Sequence, residues 1–478
     1  MTLVEWAAVL LACVPVAAAI GAFCRTALGP VLAITSGAAL IGAGAALAVA
    51  VASHGVVHHD LGGWGAPVGI TWTVDGLAAA MLLLTAIVGT AGSIHHAVQM
   101  PRDGHFWSLW LFLWAGLNVL FLSADLFNLY VALELLTLAA VALIALTGGQ
   151  ALGAAWRYLL AMLLGSSLYL FGVALLYGRY GVLDLHLLAD MLVLDHATGV
   201  AVTLATVGLL LKAGAFPLHF WLPKAHGRAP AAVSAILSAV VVTASYYLLV
   251  RLWFGPFSVY LHAWPGQALG LLGALAIIWG GLQALAQRHL KLLIAYSTVS
   301  QLGFGLLLFP LAAGAAPELA WQGALVLIVA HSLAKAALFL AAGCIIQFHG
   351  HDRIPALGGS QRGLMLVWLA MALASASLIG LPPSSGFSGK LWLLQAALQD
   401  GAWWWAGVMV GGTLLTAGYL FRIFDVAADP AANPNKGGPA LPRLLPWSAV
   451  ALAVSAVLLG LAAPQLAALL NVGGVSVP

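Results

Sequence analysis

The chain has 478 residues, 63% of them hydrophobic and 6% charged, with a mean hydropathy of +1.05 and a formal net charge of +3. Soluble domains carry roughly 25% charged residues, so a water-soluble globule is excluded, and so small a charge offers no surface for a nucleic-acid partner. Cys13, Cys24 and Cys344 form no C-x-x-C pair and no glycine-rich nucleotide loop is present, so the sequence predicts neither a bound metal nor a cofactor.

Backbone groups in lipid must be satisfied internally, which leaves helices or a closed barrel. Apolar runs of about 20 residues without strict alternation point to helices. Gly, Pro and charged punctuation divides them into about fourteen spans, at 3–23, 31–53, 71–95, 105–123, 126–147, 156–178, 197–216, 230–254, 266–286, 290–310, 321–347, 364–399, 402–423 and 445–467. The first carries Glu5 and no preceding basic residue, so it reads as a retained helix and not as a signal peptide. After the second comes "HGVVHHDLGGWGAPVGI", whose His54, His58 and His59 read as a solvated surface patch, there being no carboxylate cluster beside them. The twelfth span is over-long and interrupted by "LPPSSGFSGK". A Pro/Gly/Asn-rich connection, "DVAADPAANPNKGGPALPR", precedes the last.

The basic residues test the even number of spans. Odd-numbered connections hold Arg25, Arg102, Arg157, Lys224, Arg228, Arg288, Lys291, Arg353, Arg362, Arg422, Lys436 and Arg443; even-numbered ones hold only Arg179 and Arg251. The positive-inside rule makes the first face cytoplasmic and puts both termini outside. The expected location is the inner membrane of a bacterial cell.

Four charged residues stand out within spans, away from the loop charges sorted above: Glu134, Lys212, Lys335 and Lys390. A charge at mid-bilayer costs roughly 2.5–3.5 kcal/mol on insertion scales. Snorkelling or a structural ion pair is the plain explanation, but Glu134 and Lys335 lie too deep to reach water from a dry interior. A buried Glu and Lys near each other have adjustable proton affinities, which suits a proton relay. His331, four residues before Lys335, shares its helix face and can pass protons on. Tyr296, Ser297, Thr298, Ser300 and Gln301 in "AYSTVSQLG" offer polar groups suited to holding ordered water. In "LLLKAGAFPLHFWLPKAH", Pro217 removes a backbone donor and Gly214 eases the break, so the helix unwinds at 213–217 just after Lys212. Pro382 and Pro383 repeat the device before Lys390. Two interrupted helices, each with a lysine and five spans apart, point to an inverted repeat. The expected fold is an all-α polytopic membrane protein of about fourteen transmembrane helices, with two inverted five-helix repeats and broken helices seven and twelve. Its expected parts are a three-helix segment (1–104), a first repeat (105–254), a second repeat (266–423) and a cytoplasmic loop with the last helix (424–478).

At "TVDGLAAAMLLLT", "DLFNLYVALELLTLAAVALIAL", "LLLKAGAFPLHFWLPKAH", "LKLLIAYSTVSQLGFG", "AHSLAKAALFLAAG" and "LPPSSGFSGKLWLL" the chain resembles a known family. These are the antiporter-like subunits of respiratory complex I (the membrane arm of NADH:quinone oxidoreductase) and of multi-subunit Mrp-type cation/proton antiporters. The matching stretches run in family order from about 70 to 399. The resemblance implies that Glu134 is the fifth-helix glutamate, Lys212 the lysine of broken helix seven, Lys335 the eleventh-helix lysine and Lys390 the twelfth-helix position. It makes His219 the histidine of the "H-x-W-L-P" stretch and Asp75 a structural motif aspartate. His331, Ser297 and Ser300 are expected to assist or hold water. Thr243 stands where the family usually carries a lysine; it cannot take a proton, only order water. Lys224 stands where an acid or neutral residue is commoner. Fourteen residues follow Pro464, and the expectation is a form without a long lateral helix, as in D-type Mrp or M/N-type complex I subunits. The implied function is proton translocation, with Na⁺ exchange for H⁺ left open, by a non-enzymatic subunit among other membrane subunits. A pumping subunit of a complex I-like or hydrogenase-type redox complex, and a proton-coupled partner for inorganic-carbon uptake, remain alternatives.

Overall fold

A computed structural model describes residues 3–100, 104–261, 264–357, 362–428 and 440–474. The chain opens with α1 (Leu3–Cys24) and α2 (Gly29–His54). Strands β1 (Val57–Asp60) and β2 (Thr71–Val74) then pair antiparallel, Val57 opposite Val74. This hairpin corrects the expectation of a helix from residue 71, in a membrane chain whose spans are otherwise all helical. "TWTV" is β-branched and aromatic, and the helix waits for Asp75, which caps α3 (Gly76–Gln99) by accepting from the Ala78 amide at 2.9 Å.

Next come α4 (Gly104–Leu122), α5 (Leu126–Ala145), α6 (Gln150–Tyr180) and the short α7 (Leu185–Met191). Helix α8 (His196–Ala213) ends at a break, after which α9 (Leu222–Arg228) resumes. Then α10 (Ala231–Ile236) and α11 (Val242–Trp253) are joined by a π turn, Leu237–Val241, into one rod. The second half runs through α12 (Trp264–Ala286), α13 (Leu290–Leu306), α14 (Leu308–Ala312) and α15 (Pro317–His349). The interrupted twelfth span is two helices, α16 (Met365–Ile379) and α17 (Ser385–Gln399), followed by α18 (Trp403–Ala428).

The last span, expected as one helix at 445–467, is α19 (Leu445–Leu458) and α20 (Ala463–Leu470) bent by 83°. Here the chain passes over the α16–α17 loop so closely that a Cβ on Gly460 would lie 1.9 Å from the Pro383 carbonyl oxygen. Among the described residues, twelve helices are long and apolar enough to cross a membrane, or thirteen if α19 and α20 make one span.

The most apolar stretches of α10–α11 and α15 are wholly buried, whereas α1, α2, α6 and α18 leave broad faces exposed. Helices apolar on every side belong in an interior. Any polar residue within these buried stretches is therefore shielded from lipid by protein.

Several residues assigned above to connections lie inside helices instead: Arg157 and Arg179 in α6, Lys224 and Arg228 in α9, Arg422 in α18, and two more that are drawn into tight contacts. Lys291 is in the first turn of α13, 4% exposed, with its ammonium donating to the Ala229 carbonyl. Arg251 is in α11; both terminal nitrogens donate to the Asp75 carboxylate, one at 2.6 Å, and Nε donates to Tyr247 at 2.8 Å. Asp75 thus ends one helix and ties another to it, a pairing across 176 positions of sequence. Arg102 and Lys436 lie outside the described residues. Arg251→Ala strands a carboxylate only 3% exposed and is expected to cost about 3–5 kcal/mol. Arg251→Lys, which keeps the charge without the fork, should cost less; unfolding in mixed detergent micelles compares the two.

Candidate functional site

Glu134 stands on α5, whose start is fixed by the Asp125 carboxylate accepting from the Asn128 amide at 2.7 Å. Lys212 lies in the last turn of α8, where the helix dipole favours a cation. Its Nζ is 3.8 Å from Glu134 Oε1 and donates to Thr137 Oγ1 at 3.1 Å. Lys212 is 3% exposed, and Glu134 Oε1 has no hydrogen-bond partner.

The helix stops at Ala213 because Gly214 turns left-handed, at φ 64° and ψ 33°. A Cβ there would meet Leu222 at 2.6 Å. The freed end is re-satisfied locally: the Gly214 and Ala215 amides and the Trp221 indole donate to the carbonyls of Leu210 and Leu211. His219, in the broken stretch, stacks on Phe216 and meets Tyr296 of α13 edge-on, with a ring separation of 6.3 Å. Its Nδ1 is buried without a partner.

A second group gathers around α15. Lys335, fully buried, donates to the Ile294 carbonyl at 2.7 Å and to Ser297 Oγ, both on α13. His331, one turn earlier, is 2% exposed and neither ring nitrogen has a hydrogen-bond partner. It stands in the field of both Lys335 and Lys390. Lys390, on α17, reaches back across the break to the last carbonyls of α16, Leu378 at 2.8 Å and Ile379 at 3.2 Å, and lies 4.5 Å from the Phe304 ring centroid. It therefore caps one half of the broken helix from the other.

The remaining candidates divide. Thr243 Oγ1 is 3.5 Å from Ser332 Oγ, at the edge of hydrogen bonding, and Ser332 itself donates to Ala239 and Ile328 carbonyls. Ser300 donates to the Ile277 carbonyl of α12 and joins neither lysine cluster. Asp75 belongs to the ion pair with Arg251, away from both. No side-chain hydrogen bond joins the Glu134–Lys212 group to the Lys335 group among the described residues.

The chain has relatives among known proteins. Residues 123–416 match the family model described as NADH:quinone oxidoreductase/Mrp antiporter, transmembrane. The chain belongs to that family. It is 38% identical to the N-type subunit of the NADH-quinone oxidoreductase of Desulforudis audaxviator, over 76% of this chain and 74% of that one. It is 32% identical to the D-type subunit of the Na(+)/H(+) antiporter of Alkalihalophilus pseudofirmus, over 80% and 78%. A chain of the Mrp complex from a Dietzia species superposes with a TM-score of 0.90 at 26% identity, covering 100% of this chain and 99% of that one.

Within this antiporter-family chain, sequence reasoning missed His226. It sits on α9, fully buried, with Nδ1 bonded to the Leu222 carbonyl at 2.8 Å and Nε2 without a partner. Its ring is 5.8 Å from Phe339 of α15, and it stands in the field of Lys335. The usable signal was its place seven residues after His219, two turns on and past the same break. Ser238 of the π turn was also missed; its hydroxyl is 2.8 Å from Thr298 Oγ1. His226, Ser238, Thr243 and Ser332 are all fully buried.

Proposed function

We propose that this chain moves protons along a buried relay from Glu134 and Lys212 to Lys335, His331 and Lys390, as one membrane subunit of a larger complex. The observation that carries the reading is the Glu134–Lys212 pair, 3.8 Å apart at the end of a helix broken at membrane depth. Irregular backbone inside a bilayer is tolerated where protein or a water-filled cavity surrounds it, and a loosely held ion pair is the element whose opening changes a lysine's proton affinity. His219, His226 and the Ser238, Thr243 and Ser332 hydroxyls bridge the relay's two halves. Thr243 takes no proton, so transfer at that point passes by hydroxyls and histidine.

Joining α16 to α17 as one broken span, and α19 to α20 as one bent span, makes the count fourteen. Two inverted repeats, α4–α11 and α12–α18, account for several parallels. Each broken helix ends its first half on a left-handed glycine, Gly214 or Gly380. Each is pressed backbone to backbone against the preceding span at a glycine pair, Gly165 with Gly208 and Gly323 with Gly389. The topology that follows puts the odd-numbered connections in the cytoplasm.

The relatives are named as subunits of an antiporter and of a quinone oxidoreductase, and both kinds of assembly fit. The higher identity to the N-type relative favours a redox-driven complex as the second reading. Purification from native membranes in mild detergent, with mass spectrometry of every co-purifying chain, tests this. Small antiporter subunits make it a secondary cation/proton antiporter; iron–sulfur or flavin subunits make it the pumping module of a redox enzyme. A lone, monodisperse chain overturns the subunit reading.

A further inference from the structure

The face carrying the odd-numbered connections, cytoplasmic in the topology proposed above, holds a cavity of 810 Å³. The α5–α6 turn, α9, the start of α13 and the end of α15 with its following loop all contribute to its wall. Four cations line it: Arg157, Lys224, Arg228 and Lys291. Against them stands one carboxylate, Asp352, and His289 Nδ1 already holds it at 2.7 Å. Arg157, Lys224 and Arg228 make no side-chain hydrogen bond or ion pair among the described residues. Lys291, 4% exposed, uses one of its three donors, on the Ala229 carbonyl, and feels both the attraction of Asp352 and a weaker repulsion from Arg228.

Membrane topology explains why basic residues lie on this face. It does not explain why four of them converge on one cavity with a single carboxylate among them, when Arg288 and Arg353 on the same face lie outside it. Like charges held together in a recess, one of them buried, are unfavourable unless something anionic sits among them. Guanidinium and ammonium groups around a cavity of this size suit an oxyanion that accepts several charge-assisted hydrogen bonds. We infer that this cavity is a binding site for a phosphate-type oxyanion, either free phosphate or the phosphodiester of an anionic lipid headgroup. Lys224 is the residue that makes the site, since an acid there would answer Arg228 and leave the cavity nearly neutral.

The test uses the full chain in phosphatidylcholine nanodiscs, titrated in one arm with inorganic phosphate and in the other with short-chain phosphatidylglycerol. Chloride at matched ionic strength is the control. Native mass spectrometry and the thermal unfolding midpoint read binding. The expected result is saturable binding in at least one arm, weakened roughly tenfold by Lys224→Glu or Arg228→Glu, each removing one charge-assisted contact. Arg288→Glu, on the same face outside the cavity, leaves it unchanged. Phosphate binding alone identifies a soluble oxyanion, and phosphatidylglycerol binding alone a headgroup. Absence of saturable binding in both arms, or binding indifferent to both cavity variants, overturns the site. Lys224 and Arg228 are exposed, so neither variant threatens the fold, and the readout does not depend on ion flux.

Discussion

Glu134→Gln and Lys212→Ala each reduce ion flux at least about a hundredfold, the scale of losing a positioned acid–base group, while the chain still co-purifies with its partners. Gln keeps the size of Glu134 and can accept a hydrogen bond, yet it neither carries charge nor takes a proton. What it removes is the field at Lys212 Nζ, 3.8 Å away. The lysine variant is not equally benign to the fold. Glu134 Oε1 has no other partner, so Lys212→Ala leaves it unanswered and should destabilise by about 1–3 kcal/mol, whereas Glu134→Gln leaves Lys212 its bond to Thr137. Flux is read as dissipation of a pH gradient in proteoliposomes of the assembled complex, with co-purification as the assembly control. Full flux in both variants sinks the relay.

That pair is legible in the sequence alone because a lysine and a glutamate in apolar runs are costly enough to stand out. The breaks are legible for a similar reason. Proline at 217 and at 382–383 cannot be carried through a helix, and α8 and α16 do stop short of those residues. What stays hidden is whatever depends on distant packing. The Asp75–Arg251 pair joins residues 176 apart, and Arg251 reads as a loop charge because it stands in the last turn of its helix. Lys291 is hidden likewise: a lysine at a helix start looks solvated until α9 covers it. The hairpin at 57–74 loses to hydropathy, since Val, Trp and Thr serve a span and a strand alike. His226 lies in an unremarkable polar turn of sequence, and only the fold of α9 against α15 turns its ring toward Phe339.

Lys335→Met is expected to abolish flux and to make the protein more stable, and the opposite signs are the point. Lys335 is fully buried at the middle of a helix with no lipid or water face. No carboxylate pairs with it among the described residues; its contacts are a backbone carbonyl and a hydroxyl. Hydrogen bonds of that kind offset only part of what burying an ammonium costs. Methionine is unbranched, of similar reach, and fills the same channel without charge. Nothing is stranded by the exchange, because Ser297 Oγ already donates to the Ile294 carbonyl at 2.8 Å. The gain should be about 1–3 kcal/mol, seen as a raised unfolding midpoint, alongside a flux loss of about a hundredfold. Lys212 behaves differently because its neighbour is a carboxylate that needs it. If Lys335→Met instead lowers the midpoint, the lysine is a strut between α13 and α15, and the relay must cross these helices elsewhere, by His226 and the Ser238–Thr298 hydroxyls.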